Sequence, residues 1–143
     1  MAIQILKKIK TSFTFFLVAK CKKDLLLIVD TSYSVGERSF NENVKPFLQR
    51  LVTDPVLNVG REGTQLALII FSHSDRTKLL LNFGDFYAAS QLSKFIHNLK
   101  WSEVSGDRTR TDMALQIANE KVGRTWFWDL LHFFLDVYKL KLK

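Results

Sequence analysis

One cysteine, two prolines and six glycines are spread over 143 residues. The lone Cys21 excludes an intrachain disulfide and a zinc cluster of paired cysteines. By itself it is a small apolar residue, an idle thiol or the orphaned half of a bridge. The low proline and glycine content excludes a collagen-like chain. Neither internal repeats nor low-complexity segments occur. Histidine is equally scarce, and His73, His97 and His132 have no evident partners for triad chemistry. The only glycine-rich turn, "VGREG", lacks the lysine-serine ending of a phosphate-binding loop. An enzyme is therefore the least expected class.

Acidic residues are missing from the first 23 positions. That segment carries +6, the centre (24–120) carries −2 and the end (121–143) carries +3, out of a net +7. A nucleic-acid-binding domain carries its basic stripe on the fold itself, so no nucleic-acid partner is expected. Basic apolar flanks suit a targeting segment or a membrane surface instead.

What the chain does have is a globular composition, 47% hydrophobic and 24% charged, enough for one domain. Of its 12 phenylalanines, six crowd into the two terminal segments, residues 1–23 and 121–143. Residues 1–23 read in two ways. Lys7, Lys8 and Lys10 followed by the apolar run Ser12–Ala19 resemble a signal peptide. The run is short and three lysines follow at once, so a strand or helix packed on the domain fits equally. It is too short to span a bilayer.

The centre alternates strand and helix patterns. "DLLLIVD" (24–30) is an apolar run suited to a buried parallel strand. Ser39 with Glu42 reads as a capping box before a helix carrying Phe40, Val44, Phe47, Leu48 and Leu51. Pro46 inside that helix predicts a kink or a later start. Residues 53–63 form a loop by composition. "TQLALIIFS" (64–72) and "TKLLLNFG" (77–84) read as strands, and their tight connection predicts antiparallel neighbours. A helix follows over 85–100, a polar loop over 101–110, and a helix over 111–122 with Met113, Leu115, Ile117 and Ala118 available to pack. The order predicts an α/β domain with its sites at the carboxyl ends of the parallel strands.

Residues 123–143 differ. Ten apolar residues cover most of a predicted helix, and Asp129, His132, Asp136 and Lys139 form one narrow polar stripe. Such a helix buries a wide face or lies in a membrane interface.

The first strand ends in "DTSYSVG". A turn there can bring Asp30, Ser32 and Ser34 to one point above the sheet. A carboxylate and two hydroxyls are hard ligands, suited to Mg²⁺ or Ca²⁺ rather than zinc. Gly36 relieves the backbone where it turns. The alternative is that the serines cap the following helix. "GDRTRTDMAL" (106–115) adds Thr109 and Thr111 in a loop before another helix, at the same end of the sheet.

With these segments together the chain resembles the von Willebrand factor type A domain, the integrin I-domain fold, over about residues 24–122. "DLLLIVDTSYSVG" is similar to the first strand of that family with its D-x-S-x-S. "GTQLALIIFS" is similar to its second strand, and "GDRTRTDMAL" to its G-x-T-x-T-x-x-A-L loop. The general look is of the extracellular adhesion and matrix members. The resemblance implies a Rossmann-like three-layer sandwich: a partial type A fold, with a mostly parallel sheet and one antiparallel edge strand. It also implies a metal-ion-dependent adhesion site whose ligands are Ser32, Ser34 and Thr111, with Asp30 acting through a water or a hydrogen bond. The ion, Mg²⁺ (or Mn²⁺ or Ca²⁺), keeps one position open for an acidic side chain of a matrix or cell-surface partner.

The resemblance stops after Val122. The family continues with a fourth strand, beside the first in the order 3-2-1-4-5-6, whose aspartate completes the metal site. Asp112, which follows Thr111 directly, is expected to face away from it. Without that second acid, cation binding is expected to be weak. Without that strand, the first strand is expected to be an open edge that an aromatic tail helix cannot pair. Family members often pair a cysteine before the first strand with one near the domain's end, and Cys21 has no such partner. The expected organisation is a signal peptide or basic segment (1–23), a C-terminally truncated type A domain (24–122) and a divergent aromatic amphipathic helical tail (123–143). Three functions follow: secreted metal-assisted adhesion, a fragment with relic motifs, or peripheral membrane contact through the basic aromatic ends.

Overall fold

The computed structural model describes residues 2–4, 16–18, 24–121 and 133–134. Strands β1 (Ala2–Gln4) and β2 (Phe16–Val18) pair antiparallel as a separate ribbon. The main sheet holds β3 (Asp24–Asp30), β4 (Gln65–Phe71), β5 (Lys78–Leu81) and β6 (Phe133–Phe134), in the order β5-β4-β3-β6. β3 runs parallel to β4 in a register from Asp24 opposite Gln65 to Asp30 opposite Phe71. β5 is the antiparallel edge, as the tight turn after β4 predicts, with a bulge at Leu68/Ile69.

β3 and β4 are apolar on both faces because both faces are covered. Leu27, Val29, Leu66, Leu68 and Ile70 join one core with Phe40, Val44, Leu48, Val52, Leu92 and Ile96. Leu26, Ile28, Ala67, Ile69 and Phe71 join a second with Ala114 and Ala118. Each such aliphatic side chain contributes about 1.5–3 kcal/mol on burial. The result is the expected three-layer α/β sandwich.

The first helical stretch runs through α1 (Glu37–Ser39), a π-helical segment Phe40–Val44 and α2 (Lys45–Thr53). It departs from expectation at its start. Gly36, at φ 78°, is the N-cap, and Ser39 already has helical dihedrals and caps nothing. Glu42 is held by Arg38 at 3.0 Å instead. The capping box fails because the turn after the strand needs a left-handed residue, and that fixes the helix start three residues earlier. Pro46 falls in the first turn of α2, the later start its position predicts, and the segment before it is π-helical. Pro46 has no N–H to give to Glu42, and its ring would crowd that carbonyl in a regular helix. Lys45 donates to Phe40, five residues back, and the widened turn makes room.

α3 (Ala89–Asn98) packs against α2, and Phe86 just before it meets Phe95 at 5.7 Å between ring centres. The expected loop over 101–110 opens with a one-turn helix, α4 (Trp101–Val104), because Trp101 packs tilted against Phe40 and Val104 is buried. α5 (Thr111–Lys121) buries Ala114 and Ala118, four apart, while Leu115 is exposed. Small residues are what let α5 lie close to the sheet.

The chain ends differently from the expected helix at two positions. Phe133 and Phe134 are extended and pair parallel with Leu27 and Ile28. β3 is buried on both faces, so its second row of backbone groups needs a partner, and aromatic residues suit a strand. The edge expected to stay open is thus partly paired. The other residues of 123–143, with Cys21 and His132, lie outside the described residues. Among the described residues no helix is long and apolar enough to cross a membrane.

Candidate metal centre

β3 positions the site. Asp30 is its last paired residue, and Thr31 extends the ladder by donating its N–H to Phe71 O at 2.9 Å. The chain then turns sharply. Asp30 Oδ1 accepts the backbone N–H of Ser32 at 2.7 Å, a short-range turn that holds the carboxylate over the loop. Val35 N–H closes onto Ser32 O at 2.9 Å. The turn brings the hydroxyls of Ser32 and Ser34 to 2.7 Å from each other. Ser32 is buried and Ser34 is exposed, so the pair has a floor and an open side. Neither serine caps the following helix, whose N-cap Gly36 has no side-chain cap bond.

A second segment closes on this loop. Ser32 and Gly106 form an isolated parallel bridge, with Tyr33 N–H donating to Gly106 O at 2.8 Å and Gly106 N–H to Thr31 O at 3.4 Å. Gly106 fits against the end of β4, where an added Cβ would stand 2.7 Å from both Cβ and N of His73. Arg110 N–H donates to Ser72 O at 3.0 Å, which seats the start of α5 on the same strand end. Thr111 is the first residue of α5 and half-buried; Thr109 lies in the loop and is exposed. Asp112 is exposed and bound by the Arg110 guanidinium at 2.6–3.2 Å. That hydrogen bond is the main reason its carboxyl is lowered to about 2.

Beside the loop lies a shallow cleft of about 240 Å³ lined by Tyr33, His73, Asp75, Arg76 and Asp107 among others. His73 does have partners: Nδ1 meets Asp75 at 2.7 Å, and Nε2 faces Asp107 at 3.9 Å. The hydrogen bond from His73 holds the Asp75 carboxyl below its ordinary range. Ser74 Oγ approaches the same Nδ1 at 3.4 Å. A relay needs a hydroxyl and a carboxylate hydrogen-bonded to opposite ring nitrogens; Ser74 and Asp75 share Nδ1, and Asp107 at 3.9 Å is beyond hydrogen-bond distance of Nε2, so these side chains form no triad.

The donor set fits a hard cation. Cis ligands of an octahedral Mg²⁺ at 2.0–2.1 Å stand about 3 Å apart. The two serine hydroxyls are hydrogen-bonded to each other at 2.7 Å, which holds them within a few tenths of that edge. Among the described residues no group of three or more His, Cys, Asp or Glu could hold a metal.

Three further groups shape the site: Thr31, Ser72 and Gly106. Thr31 was legible in principle. If Asp30 and Ser32 point above the sheet, the residue between them points into the fold, where its hydroxyl needs a partner. Gly106 opens the threonine-loop motif, but its close packing on His73 carried no sequence signal, and neither did Ser72.

The family model for the von Willebrand factor type A domain matches residues 24–125, and the chain belongs to that family. It is 26% identical over 99 residues to the human collagen alpha-5(VI) chain, covering 69% of this chain and 4% of the collagen. It is 30% identical over 92 residues to the mouse collagen alpha-1(XX) chain, covering 64% and 6%. The chain thus spans a small part of the relatives it matches. Among solved structures it is similar to proximal thread matrix protein 1 from the mussel byssus, in a form with a zinc-occupied MIDAS motif. There the TM-score is 0.60 and the identity 23%, over 71% of this chain and 26% of that one. The vWF domain of a type V pili tip protein from Porphyromonas gingivalis has a TM-score of 0.52 and 23% identity, over 71% and 32%. These two likenesses establish the fold.

Proposed function

We propose that this chain is a protein-binding module of the extracellular matrix or cell surface that grips an acidic side chain of its partner through a divalent cation. The observation that carries the reading is the 2.7 Å pair of hydroxyls, Ser32 and Ser34, at the carboxyl end of β3. Ser32, Ser34 and Thr111 hold the cation, Mg²⁺, Mn²⁺ or Ca²⁺. The bound ion supplies a positive charge with a position open to a carboxylate. Asp30 acts from outside: its carboxylate receives Ser32 N–H at 2.7 Å, fixes the loop and adds negative charge beside the ion. The partner's Asp or Glu completes the shell, so contact depends on both ion and acid. With one carboxylate at the site, affinity for the ion alone is weak and the partner's carboxylate strengthens it. The family membership and the matrix collagens among the relatives support an extracellular setting and a binding rather than catalytic role.

Calorimetric titration of the whole chain with Mg²⁺, Mn²⁺ and Ca²⁺ tests this. Saturable binding, lost in the Ser32→Ala/Ser34→Ala variant and reduced in Thr111→Ala, is expected. Thr109→Ala, the other hydroxyl of the loop, is expected to bind as the parent does. A folded protein that binds none of the three ions refutes the reading.

A further inference from the structure

We infer that Thr31 and Ser72 are positioning residues that lock the serine loop to the threonine loop through one backbone oxygen, the carbonyl of Val104. Thr31 Oγ1 donates to Val104 O at 2.8 Å, and Ser72 Oγ donates to the same oxygen at 3.1 Å. Both side chains are fully buried. Val104 ends the one-turn helix α4, immediately before the loop that carries Gly106, Thr109 and Thr111. Three segments far apart in sequence therefore meet at one acceptor: the end of β3, the end of β4 and the start of the threonine loop.

The junction reaches each ligand-bearing element by a direct link. Thr31 lies between Asp30 and Ser32, and its backbone O accepts Gly106 N–H at 3.4 Å. Ser72 O accepts Arg110 N–H at 3.0 Å, one residue before Thr111. Ser72 N–H is itself held by Thr77 Oγ1 at 3.1 Å, so its position is fixed from behind. A buried carbonyl with two lone pairs takes two donors, and each strengthens the other. Moving either hydroxyl moves the common anchor, and with it the spacing between Ser32 and Thr111.

That spacing decides which cation fits. Mg²⁺ requires short, near-octahedral contacts, whereas Ca²⁺ accepts longer and looser ones. A locked cradle thus favours Mg²⁺, and a loosened one loses that preference. This consequence rests on the proposed cation site; the coupling of the two loops does not.

The test uses the whole chain and three variants: Thr31→Val, which keeps shape and removes the hydroxyl; Thr31→Ser, which keeps the hydroxyl; and Ser72→Ala. Amide hydrogen exchange is measured without metal. In Ser72→Ala the Tyr33 N–H, on the opposite loop, is expected to lose protection together with Arg110 N–H. In Thr31→Val the Arg110 N–H is expected to do so, and Thr31→Ser is expected to behave as the parent. If each variant loosens only its own loop, or if Thr31→Ser is as damaged as Thr31→Val, the junction is refuted. Cation titration adds the functional readout. Mg²⁺ affinity should fall by roughly 10-fold or more in Thr31→Val, the usual range for an outer-shell partner, with Ca²⁺ affinity less affected. An equal loss for both ions overturns the spacing argument. A parent protein that binds neither ion, with the exchange coupling intact, overturns the metal site and leaves the junction standing.

Discussion

Gly106 and His73 are packed so closely that no side chain fits between them. A Cβ on Gly106 would lie 2.7 Å from His73 Cβ, 2.7 Å from its backbone N and 2.9 Å from Ser72 Oγ. Two of these are parts of the strand end and cannot swing aside. Gly106→Ala is expected to cost about 1–3 kcal/mol, the usual penalty of overpacking. The loop must lift off β4, so cation affinity should fall as well. Urea denaturation beside calorimetry checks both. Unchanged stability would mean that the loop relaxes freely.

The Arg110–Asp112 pair sets an acid-range titration. The Asp112 carboxyl titrates at about 2 in the fold against an ordinary 3.8, and the hydrogen bond from Arg110 is the main cause. A depressed acid binds fewer protons folded than unfolded. Its contribution to stability is therefore present above pH 3.8 and is lost as the pH falls through about 2. Both side chains are exposed, so the contribution is small and fades in salt. Carbon-detected NMR titration of Asp112 should give a midpoint near 2 that returns towards 3.8 in Arg110→Ala. A midpoint near 3.8 in the parent would show that the pair does not persist in solution.

Lys45 joins two helices rather than facing solvent. Its Nζ donates to Leu99 O at 2.9 Å, the residue that terminates α3. The contact places a cation on the carbonyl end of a helix, where the dipole favours it. Lys45→Met keeps the apolar stem and removes the donor. It should lower stability by about 1–2 kcal/mol, without altering cation binding. A stability equal to the parent's would mean that water replaces the ammonium without cost.

Some of this molecule follows from sequence alone. β3 and β4 could be placed because continuous apolar runs with polar ends suit only strands buried on both faces. The serine loop could be suspected because side chains at alternate positions share a side, and the family could be named from that loop together with the threonine loop. Local rules failed where distant contacts compete with them. Ser39 and Glu42 look like a helix start, but Gly36 takes the left-handed turn first. Ile117 packs partly against the core as its spacing suggests, but Leu115 is exposed and the fully buried contacts of α5 are Ala114 and Ala118. The loop at Trp101 becomes helical because Phe40 lies beneath it.

The meeting of Thr31, Ser72 and Val104 belongs wholly to the tertiary structure. Hydrogen bonds across 73 and 32 residues have no periodicity to betray them. Sequence set which oxygens stand at the end of β3, because alternation along a strand is local. Only the fold decided what holds them in place, because a buried hydroxyl must find its acceptors inside the fold, and those of Thr31 and Ser72 come from elsewhere in the chain.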